Sequence, residues 1–142
     1  MQVSELMSDS IVTISPDETA ALAARMLSRH NIGAIPVCTQ DRRLRGIVTD
    51  RDIVLRCVAV ESDPETTLVR EIMSKSMITI SPRDDVREAA RLMSVAQVRR
   101  LPVVSDGELL GMLSLGDMAR THAFDMEASK ALSEISSGVK RR

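Results

Sequence analysis

Two hydrophobic patterns alternate along this chain. Leu22, Met26 and Leu27, and again Ala89, Leu92 and Met93, recur at the three-to-four-residue spacing of an amphipathic helix. Short runs dense in aliphatic residues follow each helix: Ala34–Cys38 with Leu44–Thr49, and Arg100–Ser105 with Leu109–Ser114. Asp41-Arg42-Arg43 and Asp106-Gly107-Glu108 are the polar turns that join each pair of strands. Ile11–Ile14 and Met77–Ile80 predict one more short strand in each half, ended by Ser-Pro. Val3–Met7 and Val69–Met73 predict short amphipathic turns. Helix starts are signalled by Thr19 and by Asp85-Val86-Arg87-Glu88, which reads as a capping box.

These elements repeat at a constant distance. Val3-Ser4-Glu5-Leu6-Met7-Ser8 matches Val69-Arg70-Glu71-Ile72-Met73-Ser74; Thr13-Ile14-Ser15-Pro16 matches Thr79-Ile80-Ser81-Pro82; Ile35-Pro36-Val37 matches Leu101-Pro102-Val103 (69−3, 79−13 and 102−36 each give 66). A tandem duplication of β-α-β-β-α follows. The first repeat spans 1–62, a linker with Pro64 spans 63–67, the second repeat spans 68–124, and a C-terminal helix and basic tail occupy 125–142. The fold class expected is α/β (α+β), two repeats packed about a pseudo-two-fold axis, because one half is too small to bury its sheet alone. A second helix closes each copy, over Asp50–Val60 and from Gly116 onward. The last helix carries Phe124, Ala128, Ala131, Leu132 and Ile135 on one side and is expected to stop at Ser136-Ser137-Gly138, before a frayed Lys140-Arg141-Arg142.

The most informative pair of stretches is Gly46-Ile47-Val48-Thr49-Asp50-Arg51-Asp52-Ile53 and Gly111-Met112-Leu113-Ser114-Leu115-Gly116-Asp117-Met118. Each reads as a buried strand running directly into a helix N-terminus, with a hydroxyl and, three residues on, a carboxylate. Capping alone accounts for this spacing. The same geometry also suits an anion beside Thr49 or Ser114, and a carboxylate that accepts the two hydroxyls of a ribose.

Composition narrows the function classes. Apolar residues make up 44% of the 142 and charged residues 27%, as in ordinary soluble domains, and the core rests on aliphatics and nine Met. Phe124 is the only aromatic residue, which removes the stacking platform that single-stranded nucleic acid needs. A net charge of −1 gives no polyanion-binding field, and a nucleic-acid reading would rest on the Lys140-Arg141-Arg142 tail alone. No run approaches the roughly 20 apolar residues of a membrane span, and no secretory pattern opens the chain, so a cytoplasmic protein with reduced Cys38 and Cys57 is expected. His30 and His122 are isolated, so no metal set and no nucleophile–base pair is visible. A non-enzyme is the expectation.

The duplicated pattern, with "TISP" in both copies and Gln97-Val98-Arg99-Arg100-Leu101-Pro102-Val103-Val104 in the second, resembles a tandem pair of CBS (cystathionine-β-synthase) domains, a Bateman module, over about residues 3–124. The resemblance implies paired β-α-β-β-α units, an adenosine-containing ligand (AMP, ADP, ATP, NAD or S-adenosylmethionine) in clefts between repeats, no covalent cofactor, and a homodimer through the repeat helices. By resemblance Asp52 and Asp117 fall on the ribose diol, and Thr49 and Ser114 on ribose or phosphate. Arg51 in the first copy and Arg99 and Arg100 in the second are placed to meet phosphate. The adenine slot would be Ile11, Val12, Ile35 and Pro36 in one copy and Met77, Ile78, Leu101 and Pro102 in the other, residues that also suit a plain core role. Two unequal sites are expected. No fused catalytic or transport segment is recognisable, so a stand-alone module regulating a partner protein in trans is the reading; the alternative is a ligand-independent dimerisation or protein-interaction module.

Overall fold

Local signals produce the helices as read. The Thr19 hydroxyl accepts the Leu22 amide at 3.1 Å, opening α1 (Ala20–His30), and Asn31 closes it in the left-handed region at φ 52°. Strands β1 (Ala34–Cys38) and β2 (Leu44–Thr49) then pair antiparallel, Ala34 opposite Thr49. The chain runs straight into α2 (Asp50–Ile53), and a later short helix, α3, spans Val69–Ile72. The second copy follows the same plan with α4 (Val86–Ala96), closed by Gln97 at φ 60°, β3 (Arg100–Ser105), β4 (Glu108–Ser114) and α5 (Leu115–Ala119), and then adds α6 (Asp125–Lys140). The structure, a computed structural model, describes residues 1–120 and 125–140, excepting the side chains of 125 and 138–140; His122, Phe124, Arg141, Arg142 and the Lys140 side chain lie outside the described residues. The result is an α/β fold of two repeats, each with a two-stranded sheet and helices.

The chain forms two compact units, Val12–Met77 and Met1–Ile11 with Ile78–Arg142. Each therefore contains the short opening turn that belongs, by sequence, to the other repeat. In the Val12–Met77 unit, Val69, Ile72 and Met73 share a core with Ile14, Ala20, Ala23, Leu27, Ile35, Val37, Val48, Ile53 and Cys57. In the other, Val3 is fully buried with Val86, Met93, Leu101, Val103, Leu113 and Met118.

Glycine allows these borrowed turns to dock. A Cβ at Gly46 would stand 2.7 Å from the Ser74 carbonyl oxygen, and one at Gly111 would stand 2.6 Å from that of Ser8. Backbone bonds run both ways at each crossing: Ile47 to Ser74 at 2.9 and 2.8 Å, and Met112 to Ser8 at 2.9 Å twice. Only a residue without a side chain lets two backbones come this close.

Several expectations are corrected. Ile11–Ile14 and Met77–Ile80 are not strands; each contributes a single parallel rung, Ile14 to Val37 and Ile80 to Val103. Prolines explain this. Extending the first rung would need amide donors at Pro36 and Pro16, and extending the second would need them at Pro102 and Pro82, and proline has none. The helix read over Asp50–Val60 is α-helical only to Ile53; Val54–Val58 form a π turn, closed by the Ala59 amide on the Val54 carbonyl at 2.8 Å. Asp85 caps α4 by accepting the Arg87 amide at 2.8 Å, but Glu88 does not reach back: it holds Arg91 at 2.9 and 2.6 Å, the stronger charge-assisted partner. Helix α5 begins at Leu115 rather than Gly116, because Ser114 is its cap. Helix α6 continues through Ser136-Ser137-Gly138, held by Ala128, Ala131 and Ile135, each no more than 5% exposed, while Leu132 on the stripe's edge is 42% exposed. Packing of that stripe outweighs the roughly 1 kcal/mol helical penalty of one glycine.

Candidate functional site

Both hydroxyl–acid junctions form reciprocal caps. The Thr49 hydroxyl accepts the Asp52 amide at 3.0 Å, and Asp52 Oδ2 accepts the Thr49 amide at 2.9 Å. Ser114 accepts the Asp117 amide at 3.1 Å, and Asp117 Oδ2 accepts the Ser114 amide at 2.9 Å. One oxygen of each carboxylate is thus committed to the backbone, and chemistry is left to the other.

The second oxygens differ in their surroundings. Asp52 Oδ1 accepts the Ser74 hydroxyl at 3.2 Å and lies 3.9 Å from Arg56 Nη1. That guanidinium is itself anchored, donating to the carbonyls of Ile72 at 3.1 Å and Met73 at 3.2 Å. Asp117 Oδ1 instead meets Arg120, the residue that closes α5, a side chain that is 76% exposed. Ser74, Arg56 and Arg120 were not singled out from the sequence. Arg56 and Arg120 stand four and three residues beyond the acids, a spacing that could have flagged them. Ser74 is 22 residues from Asp52, and only the repeat, which matches it to Ser8, carried a signal.

The strand preceding each junction is tied to it. The Asp50 amide donates to the Gly33 carbonyl at 3.1 Å, and the Leu115 amide donates to the Arg99 carbonyl at 3.0 Å. Arg100 pairs with Ser114 across the β3–β4 ladder, so Arg99 and Arg100 stand beside the second junction, where the first has Gly33 and Ala34. Arg51, Arg99 and Arg100 are exposed and, among the described residues, their guanidiniums have no ion-pair partner. The apolar residues assigned to a slot are unequal: Ile35 and Leu101 are fully enclosed in their cores and Pro36 and Pro102 are buried, whereas Val12, Ile11 and Met77 are half-buried and Ile78 is 40% exposed. Ile11 and Met77 each fall on the far side of the unit boundary from the rest of their set.

The cysteines are both buried; burial pushes the Cys38 thiol upward, against a smaller downward pull from Arg42. Among the described residues, no three His, Cys, Asp or Glu gather in a way that would hold a metal ion, and no helix is long and apolar enough to cross a membrane.

The CBS domain profile matches residues 3–58 and 69–123. CBS domain-containing protein YhcV of Bacillus subtilis strain 168 is 40% identical over 134 residues, covering 94% of each chain. Among solved structures, CBSX2 in complex with AMP superposes with a TM-score of 0.74 at 25% identity, over 89% of this chain and 98% of that one. The CBS domain pair of MJ0100, in complex with 5′-methylthioadenosine and S-adenosyl-L-methionine, does so with a TM-score of 0.71 at 27% identity, over 84% and 98%.

Proposed function

We propose that this chain, which belongs to the CBS domain family, is a non-enzymatic regulatory module that binds an adenosine-containing ligand and acts in trans on a partner protein. The single observation behind this reading is the twofold construction of the junction: hydroxyl, helix start and carboxylate are rebuilt with the same bonds in both repeats. Two similar structures hold AMP, or S-adenosylmethionine with methylthioadenosine, which supports an adenosine-containing ligand here. In this reading a ribose diol is taken by the carboxylate oxygen that the cap leaves over, Oδ1 of Asp52 or of Asp117, in place of its present side-chain partner. Thr49, Arg51, Ser114, Arg99 and Arg100 serve ribose and phosphate. Of the apolar residues assigned to a slot, Val12 and Ile78, partly exposed and each within the same unit as its junction, border the base. A ligand regulates only by binding one arrangement of the protein better than another.

A thermal-shift screen against AMP, ADP, ATP, NAD and S-adenosylmethionine tests this. A ligand at about 100 times its Kd adds roughly 2.7 kcal/mol, a rise of several degrees. The rise should shrink when the junction that carries the ligand loses its carboxylate, in Asp52→Asn or in Asp117→Asn, variants that keep an oxygen for the cap. No rise with any of the five would overturn the reading.

A second reading, a ligand-independent interaction module that dimerises through its helices, draws on four apolar side chains that follow α2: Val54, Leu55, Val58 and Val60 are 54, 47, 60 and 60% exposed. Sedimentation without ligand, comparing the wild type with Leu55→Glu/Val58→Glu, decides it: dissociation of a dimer supports this reading, and a monomeric wild type removes it.

A further inference from the structure

The two junctions differ in a way that the repeat pattern hides. We propose that only the second junction, Ser114–Asp117 with Arg99 and Arg100, is open to a phosphate-bearing adenosyl ligand, and that Ser74 and Arg56 hold the first one closed. The inference rests on the reading above and assigns the site within it.

The closure is built from outside the motif. Ser74 sits on a backbone that Ile47 pins in both directions, at 2.9 and 2.8 Å, and its hydroxyl points at Asp52 Oδ1. With Oδ2 taken by the Thr49 amide, both oxygens of a carboxylate whose residue is 7% exposed are satisfied. Arg56 fastens the same segment from the other side through the Ile72 and Met73 carbonyls. A diol entering here must displace a bonded hydroxyl carried by fixed backbone. The matching residue of the second junction, Ser8, is pinned to Met112 in the same way, yet its hydroxyl turns to the Ser10 carbonyl at 3.5 Å and leaves Asp117 alone. Arg120, the only side chain on Asp117 Oδ1 among the described residues, is 76% exposed and, unlike Arg56, has no backbone carbonyl to anchor it, so a ligand can take its place by swinging it into solvent.

Charge points the same way. Around the first junction the carboxylates of Asp50 and Asp52 offset the guanidiniums of Arg51 and Arg56. Around the second, Arg120 meets the single carboxylate of Asp117, and Arg99 and Arg100 stand on the backbone that pairs with Ser114 and Leu115. Guanidinium forks match phosphate oxygens, so the surplus favours an anionic ligand at the second junction only.

Isothermal titration with AMP tests the assignment. The wild type should bind one AMP per chain. Asp117→Asn should abolish binding and Asp52→Asn should leave it within twofold. Arg99→Gln/Arg100→Gln should weaken AMP roughly tenfold or more while leaving uncharged adenosine nearly unchanged. Ser74→Ala should raise the stoichiometry towards two, a gain that a misfolded variant could not produce. Two equal sites in the wild type, or loss of binding in Asp52→Asn with retention in Asp117→Asn, would overturn the proposal. Binding of S-adenosylmethionine but not AMP would overturn it and leave the adenosyl reading standing. Failure of every adenosyl ligand would end both.

Discussion

Gly111 is the position where one added methyl group should be felt most clearly. Its Cβ would lie 2.6 Å from the Ser8 carbonyl oxygen and 3.0 Å from Met7 Sδ, the first of these closer than real Cβ atoms approach any neighbour. The methionine can swing aside, but the carbonyl cannot. It accepts the Met112 amide at 2.9 Å, and the Ser8 amide donates back to Met112 at 2.9 Å. Making room separates the 1–11 segment from β4 and loosens both bonds, at about 1 kcal/mol each, with some of the packing of fully buried Val3. Alanine returns about 0.4–1 kcal/mol by restricting the unfolded chain, and no left-handed backbone angle opposes it here. Gly111→Ala should therefore destabilise by about 1.5–3 kcal/mol, which lowers Tm by roughly 5–12 °C. Urea denaturation followed by far-ultraviolet circular dichroism measures this. Gly116→Ala is the control of opposite sign: its Cβ would meet only the Ser114 Oγ at 3.5 Å, it is exposed, and it lies in a helix, so alanine should stabilise by about 0.5–1 kcal/mol. A Gly111→Ala protein as stable as the wild type would refute the close-approach argument, and Gly46→Ala, at 2.7 Å from the Ser74 carbonyl, would be expected to fail with it.

Further outcomes follow from the same contacts. A fragment of residues 12–77 should fold cooperatively, whereas 1–62 should not, because the latter lacks Val69, Ile72 and Met73 of its core; dispersed amide NMR signals from 1–62 would contradict this. Thr49→Ala removes the acceptor of the Asp52 amide and should cost about 1 kcal/mol in the urea midpoint, with Thr49→Asp largely restoring it. Native protein should show no free thiol to a disulfide reagent at neutral pH and two after denaturation, since Cys38 and Cys57 are 7% and 0% exposed. The raised Cys38 thiol contributes stability below the pKa of the unfolded thiol, which is lost as pH climbs through the folded value; a stability profile that improves with rising alkalinity would be inconsistent with that burial.

Much of this protein was determined by its sequence alone, and for one physical reason: the signals act over three to four residues. The caps at Thr19, Asp85, Thr49 and Ser114 bond to amides two or three positions ahead, so the hydroxyl or carboxylate and its target travel together. The four strands are short aliphatic runs bounded by polar turns, and the repeat itself needs only comparison of the chain with its own copy. What tertiary structure decided are pairings between distant residues. A turn such as Val3–Met7 is amphipathic whichever core receives it, so nothing local says that it packs with residues 78 onward. Asp52 has the same neighbours in sequence whether or not Ser74 reaches it, and Asp117, with a matching motif, meets Arg120 instead. Pro16 and Pro36 are each visible in the sequence, but that together they trim a strand to one rung emerges only when Ile14 lies beside Val37. Helix α6 passes a serine pair and a glycine because Ala128, Ala131 and Ile135 are buried, a stabilisation that comes from packing and not from helix propensity.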